Sequence, residues 1–216
     1  MANVVKKEVI KNKLQDNQTM MIGGFLETGT PDNLIDIVLD EGIKGITLIA
    51  NDTGFPDKKL GSLIVEKRVK KVIASHVGTN PETGRQMNEK EIDVELVPQG
   101  TLAERVRSQG VGLGGILTPT GVGTVVEEGK EKILIEGQEY LLEKPIQADV
   151  ALIKAWKADE EGNLIYRYAA RNFNPLMAMA ADLVIVEAEE IVPAGTFDAN
   201  EVMTPGVFVD YVVNFS

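Results

Sequence analysis

The chain has 216 residues, 44% of them hydrophobic and 25% charged, enough to bury a sizeable core as a single α/β domain spanning residues 1–216. Its 22 basic and 33 acidic residues leave a net charge of −11, which argues against a nucleic-acid partner, since general binding of that kind needs a basic face. The lack of cysteine excludes disulfides, thiolate metal sites and a cysteine nucleophile.

Residues 1–13 are charged and have no long apolar core, so no secretory signal is expected. No apolar run approaches the roughly 20 residues of a membrane span, and the expected location is cytoplasmic. Residues 19–22, 46–49, 72–75, 94–97, 150–153 and 183–186 are short, β-branched-rich and nearly continuous in apolar character. Such runs suit parallel strands covered on both faces. Residues 31–40, 60–67, 101–108 and 175–181 read as the helices between them. The alternation predicts an open, mostly parallel layered α/β sheet. Residues 132–136 and 139–143, joined by Gly137-Gln138, alternate polar and apolar positions and predict a small hairpin elaboration. The glycine-dense stretch 110–123 marks a possible boundary, but its apolar residues point to packing rather than a linker.

Three polar turns follow the ends of expected strands. The first, residues 23–31 (GGFLETGTP), places Gly23, Gly24, Phe25, Leu26, Glu27, Thr28 and Gly29 before a helix that opens at Pro31. The glycines permit positive φ and close approach of a ligand, and the amides at the helix start are expected to be free donors for an anion. A plain strand–helix turn is the alternative. The second turn contains Asn51 and the third contains Gln99, whose amide suits a carbonyl or oxyanion but also suits a helix start. Carboxyl ends of parallel strands share one edge, so the three turns point to one crevice.

Glu27 invites a role as nucleophile or base, yet nothing beside it marks it as activated, and a solvated loop carboxylate is expected. His76 is the only histidine and is expected to be structural. Glu187, Glu189 and Glu190 are expected to form a solvated acidic edge, with no metal bound. Residues 172–180 feed a short helix of small side chains that packs either in the core or against a partner.

The loop 23–31 resembles the glycine-rich signature of the α subunits of family I, 3-oxoacid-type CoA-transferases. LIANDTG (48–54), KVIASHVGTNPETG (71–84), PQGTLAER (98–105), LTPTGVGTVVEEG (117–129) and ARNFNPLMAMAA (170–181) are similar to the same subunit, most of all to bacterial acetate/butyrate–acetoacetate enzymes. The resemblance runs from about residue 18 to residue 211. It implies an α/β CoA-transferase fold, a β-subunit partner, and CoA as a substrate with no tightly bound cofactor. It also implies short-chain acyl-CoA and carboxylate substrates and ping-pong transfer through a glutamyl-CoA thioester. Carried over, Gly23–Gly29 bind CoA, Gln99 supports the acyl carbonyl and Asn51 borders the substrate pocket. Positions 26–28 depart from the pattern, reading Leu-Glu-Thr where relatives often carry residues such as Gly-Leu-Cys. The nucleophilic glutamate belongs to a Ser-Glu-Asn-Gly motif of the β subunit, which this chain lacks. Two alternatives stand beside this reading: a non-catalytic sugar-phosphate or effector module, and a single-chain CoA hydrolase using Glu27.

Overall fold

Apolar side chains on both sides of each central strand require cover on both faces, and the fold supplies it. In the computed structural model, which describes residues 2–215, the chain runs β1 (Asn3–Val4), α1 (Lys7–Lys11), β2 (Thr19–Ile22), α2 (Asp32–Asp40), β3 (Ile46–Asp52), α3 (Lys59–Val65), β4 (Val69–His76), α4 (Pro81–Asn88) and β5 (Asp93–Leu96). It continues through α5 (Gln99–Gly110), β6 (Ile116–Thr118), β7 (Lys132–Ile135), β8 (Gln138–Glu143), β9 (Ala148–Asp159), β10 (Leu164–Ile165), α6 (Asn174–Ala178), β11 (Ala181–Val192) and β12 (Tyr211–Val213).

The main sheet has the order β1-β12-β11-β9-β2-β3-β4-β5, with every neighbouring pair parallel and only the short β10 added antiparallel to β9. Side chains alternate across it. Met20, Ile22, Leu48, Val150 and Leu152 pack with Leu34, Ile35, Leu63 and Ile64 of α2 and α3. Met21, Ile49, Ala151 and Ile153 pack on the other side with Leu102 and Val106 of α5 and Met177 of α6.

Strand ends depart from the apolar runs. β9 and β11 each extend to 12 residues because their polar tails pair in register, Lys154 with Glu187 and Lys157 with Glu190. The Lys157 ammonium lies 2.8 Å from the Glu190 carboxylate. Helix α4 has no apolar stripe to announce it. It is set by Pro81 in its first turn and by Asn80, whose side chain accepts the Glu82 amide (3.2 Å). The expected hairpin forms as β7 and β8, and β6, from the glycine-dense stretch, joins it as a third antiparallel strand. No helix among the described residues is long and apolar enough to cross a membrane.

Candidate active site

The parallel order of β2, β3, β4 and β5 brings four strand ends to one edge of the sheet. β2 runs into the glycine loop, β3 ends at Asn51 and Asp52, and β4 ends at Ser75 and His76. β5 is followed by Gln99 at the start of α5.

Within the loop, Phe25 and Thr28 bond each other through both backbone pairs (3.1 and 3.0 Å), closing a two-residue turn on Leu26 and Glu27. Both turn residues are left-handed, at φ 44° and 72°, where Asn-Gly is the usual occupant. The strain is held from below by Asp52, which is 2% exposed. Its carboxylate accepts the Leu26 amide (2.9 Å), the Gly54 amide (2.8 Å) and the Asn51 side-chain amide (2.8 Å). Asn51 is thereby fixed, and its Oδ1 accepts from Gln99 Nε2 at 2.8 Å. The Ser75 hydroxyl donates to the Asn51 carbonyl (2.8 Å). A primary amide has two N–H groups, so Gln99 retains one for another acceptor.

Phe25, Leu26, Asn51, Ser75, His76 and Gln99 line a cavity of about 360 Å³. The predicted residues Asn51 and Gln99 are therefore in direct contact and share this cavity with the tip of the loop. His76, expected to be structural, is an exposed member of the cavity wall instead. A lone histidine after a strand gave no sign of this. It becomes visible only when β4 is placed between β3 and β5.

The glycines approach the chain's own atoms. A Cβ on Gly23 would lie 1.8 Å from Asn174 Oδ1, and one on Gly29 (φ 79°) would lie 2.7 Å from the Ala170 carbonyl. Gly23 and Gly29 thus shape the loop against residues 170–174, Gly24 (φ 120°) lets it close on Thr30, and Thr28 is tied to the 170–174 segment by Asn172 Nδ2, 2.8 Å from its carbonyl. The expected free amides at the start of α2 are also taken. Glu187, 3% exposed, accepts the Asn33 and Leu34 amides (2.8 and 3.2 Å) and Asn33 Nδ2 (3.0 Å). This corrects two expectations at once: the helix dipole already holds an internal anion, and Glu187 is no solvated edge residue. Burial pushes its carboxyl above the usual glutamate value, against the pull of Asn33 and Lys154. Glu189 and Glu190 do face outward and lie near Lys154 and Lys157.

Glu27 is half-buried and points behind the turn, with Oε1 near Gly54 and no hydrogen-bond partner for that oxygen among the described residues. Desolvation, followed by the charge of Asp32, raises its pKa. It is not among the residues that line the cavity.

A glycine loop, an amide pair and an apolar tip thus meet in one small cavity at the strand ends of a parallel sheet, the usual place for a ligand in this architecture. Residues 6–214 match the model of the family described as Coenzyme A transferase. The chain belongs to this family. Among its relatives is the acetate CoA-transferase subunit alpha of Escherichia coli K12, 55% identical over 92% of this chain and 90% of that protein. Another is the acetoacetyl-CoA:acetate/butyrate CoA transferase alpha subunit of Clostridium acetobutylicum, 51% identical over 98% of this chain and 97% of that protein. Among solved structures, an acyl-CoA transferase from Escherichia coli O157:H7 superposes with a TM-score of 0.88 at 22% identity. That likeness concerns the fold, covering 99% of this chain, which spans about half (47%) of the solved one. Membership of the Coenzyme A transferase family displaces the effector-module alternative.

Proposed function

We propose that this chain is the α subunit of a heteromeric CoA-transferase that moves CoA between a short-chain acyl-CoA and a carboxylate such as acetoacetate, acetate or butyrate. The names of relatives matched over nearly their whole length support the substrate class. The observation that carries the division of labour is the placement of Glu27. The one carboxylate of the loop sits behind the strained turn, away from the cavity that Gln99 and Asn51 enter.

On this reading a glutamate of the β subunit attacks the acyl-CoA thioester, displacing CoA thiolate and forming an acyl–glutamyl anhydride. The thiolate returns to the glutamyl carbonyl and releases the first carboxylate, leaving an enzyme–CoA thioester. The incoming carboxylate reverses the sequence. The remaining N–H of Gln99 is directed to the oxygen that gains charge in these steps, and the Asn51–Asp52 pair keeps the amide oriented before reaction. Phe25 and Leu26, each about 40% exposed, form the apolar wall that keeps water from the anhydride. The 23–29 segment binds CoA through this tip, with Gly23, Gly24 and Gly29 setting its shape. No tightly bound cofactor enters the scheme.

Assay of the purified chain alone and with a β-type partner tests this. Transfer is expected only with both, and borohydride reduction of the enzyme–CoA thioester should label the partner. Transfer by the chain alone, or label on Glu27, overturns the proposal.

A further inference from the structure

His76, the only histidine of the chain, is the one residue of the 360 Å³ cavity wall that the scheme above leaves without a task. The polar part of that wall is otherwise committed. Asn51 is 2% exposed and turned to Asp52 and Gln99, and Ser75 spends its hydroxyl proton on the Asn51 carbonyl. Gln99 and His76 are the exposed polar members. Neither nitrogen of the His76 ring has a hydrogen-bond or ion-pair partner among the described residues. Its register partner on β3 is Asp52, whose carboxylate is already filled by the Leu26, Asn51 and Gly54 donors.

The backbone beside the ring is bare. A Cβ on Gly78 would lie 3.0 Å from His76 Cε1 and 3.3 Å from Nε2, closer than side chains ordinarily pack. Gly78 is not among the left-handed glycines, so what it supplies is room for the ring and not a turn.

A neutral imidazole presents one N–H donor and one acceptor. Exchange of CoA between two carboxylates moves no proton, so the scheme gives a general base nothing to remove. The ring is left free to donate to substrate. An acetoacetyl group differs from acetyl and butyryl in a second carbonyl, on its third carbon. The cavity is at the small end for a ligand site, which keeps such a group within reach of all its walls. We propose that His76 is a specificity-determining residue whose ring N–H donates to the 3-oxo oxygen of an acetoacetyl group while Gln99 holds the acyl carbonyl. The inference rests on the transferase reading above and adds the side chain that tells a 3-oxo acyl group from a plain one. Acetyl and butyryl leave the exposed ring facing water, so the device favours one substrate without rejecting the others.

The test uses the enzyme reconstituted with its partner, with acetate as the common acceptor and acetoacetyl-CoA or butyryl-CoA as donor. His76→Phe keeps a ring and removes the N–H. It should lower kcat/KM for acetoacetyl-CoA, and with it the acetoacetyl-to-butyryl ratio, by roughly tenfold, the worth of one hydrogen bond to substrate. His76→Gln carries an N–H of similar reach and should recover most of the ratio. Gly78→Ala keeps His76 but crowds its ring, and should lower the ratio in the same direction. An equal fall with both donors, or a ratio that falls only because butyryl-CoA improves, overturns the proposal. So does a ratio that glutamine fails to recover. Transfer from both donors with an unchanged ratio in every variant refutes the proposal and leaves the transferase reading standing. No transfer from either donor by the parent chain with any β-type partner refutes that reading, and the proposal with it.

Discussion

Asp52→Asn isolates what the buried carboxylate does, because shape and volume are nearly kept. Asp52 Oδ2 accepts from Leu26 N and Asn51 Nδ2, and Oδ1 accepts from Gly54 N, all at 2.8–2.9 Å. An asparagine whose carbonyl takes the Oδ2 position keeps two of these bonds as neutral contacts. Its NH2 group then faces the Gly54 amide, donor against donor. One stranded buried donor costs about 1–3 kcal/mol, and weakening the two charge-assisted bonds adds about 1 kcal/mol, giving a loss near 3 kcal/mol. For a chain of this size that lowers Tm by roughly 6–12 °C. The Leu26–Glu27 turn, strained by on the order of 1–3 kcal/mol per residue, loses its anchor and relaxes. We therefore expect kcat/KM, measured with the partner well below the new Tm, to fall at least tenfold, about 1.4 kcal/mol. Urea denaturation and initial rates give both numbers. A stability change under about 1 kcal/mol, or an unchanged kcat/KM, would refute the view of Asp52 as the clamp of the site.

Gln99→Ala should leave folding intact and lower kcat by about 100-fold, the usual loss for one oxyanion donor, while an effect confined to KM would remove Gln99 from the reacting centre. Gly23→Ala drives a methyl into Asn174 Oδ1 and should cost about 1–3 kcal/mol. In the double variant with Asn174→Ala the two costs should fall short of additive, and strict additivity would deny the contact. Glu187→Ala strands the Asn33 and Leu34 amides at the start of α2 and should cost about 2–4 kcal/mol by denaturation, with Glu187→Gln nearer 1 kcal/mol because its carbonyl still caps them. Burial raises the Glu187 pKa above its ordinary 4.5, so the folded state holds a proton that the unfolded state has lost in the window just above that value. Stability of the parent relative to Glu187→Gln should therefore fall as pH rises through this window and level off beyond it. A difference that grows with pH would contradict burial as the dominant cause.

The central strands were legible because their residues answer to a local rule. Met20 to Ile22 and Val150 to Ile153 are apolar at every position, the mark of a strand covered twice. The tails of β9 and β11 obey a different rule. Lys154 and Glu187 extend the ladder only because each finds the other across the sheet, and neither looks like a strand residue alone. The start of α2 shows the same limit more sharply. Its amides would be open to a ligand in any reading confined to residues 23–40, and they are closed by a carboxylate 154 positions away. Asp52 was less remote. Its bond to the Gly54 amide is an Asx turn, a signal carried by the Asn-Asp-Thr-Gly run itself, but Asn51 beside it has the more evident site chemistry.

The fate of the carboxylates near the cavity bears on the whole mechanism. Asp52 holds three N–H donors and is 2% exposed, so it is spent on structure. Glu187 caps a helix. Glu27 lies behind the turn it helps to form, its carboxyl pushed above the usual glutamate value by desolvation, and it does not line the cavity. What faces the cavity instead is an amide donor fixed by a second amide, a serine, a histidine and two apolar tips. In the proposed scheme those groups receive a carbonyl and keep it dry, and none of the three carboxylates lines the cavity to attack it. The proposed scheme needs a carboxylate nucleophile, so its place is the surface that closes over Phe25 and Leu26. On this argument the strained tip acts as a seat for the partner's glutamate. Replacing Leu26 by glycine, which relieves φ 44° yet removes the apolar wall, should leave stability near that of the parent and admit hydrolysis of the anhydride. The readout is the ratio of free CoA released to CoA transferred. A ratio unchanged from the parent would show that water is excluded by the partner alone.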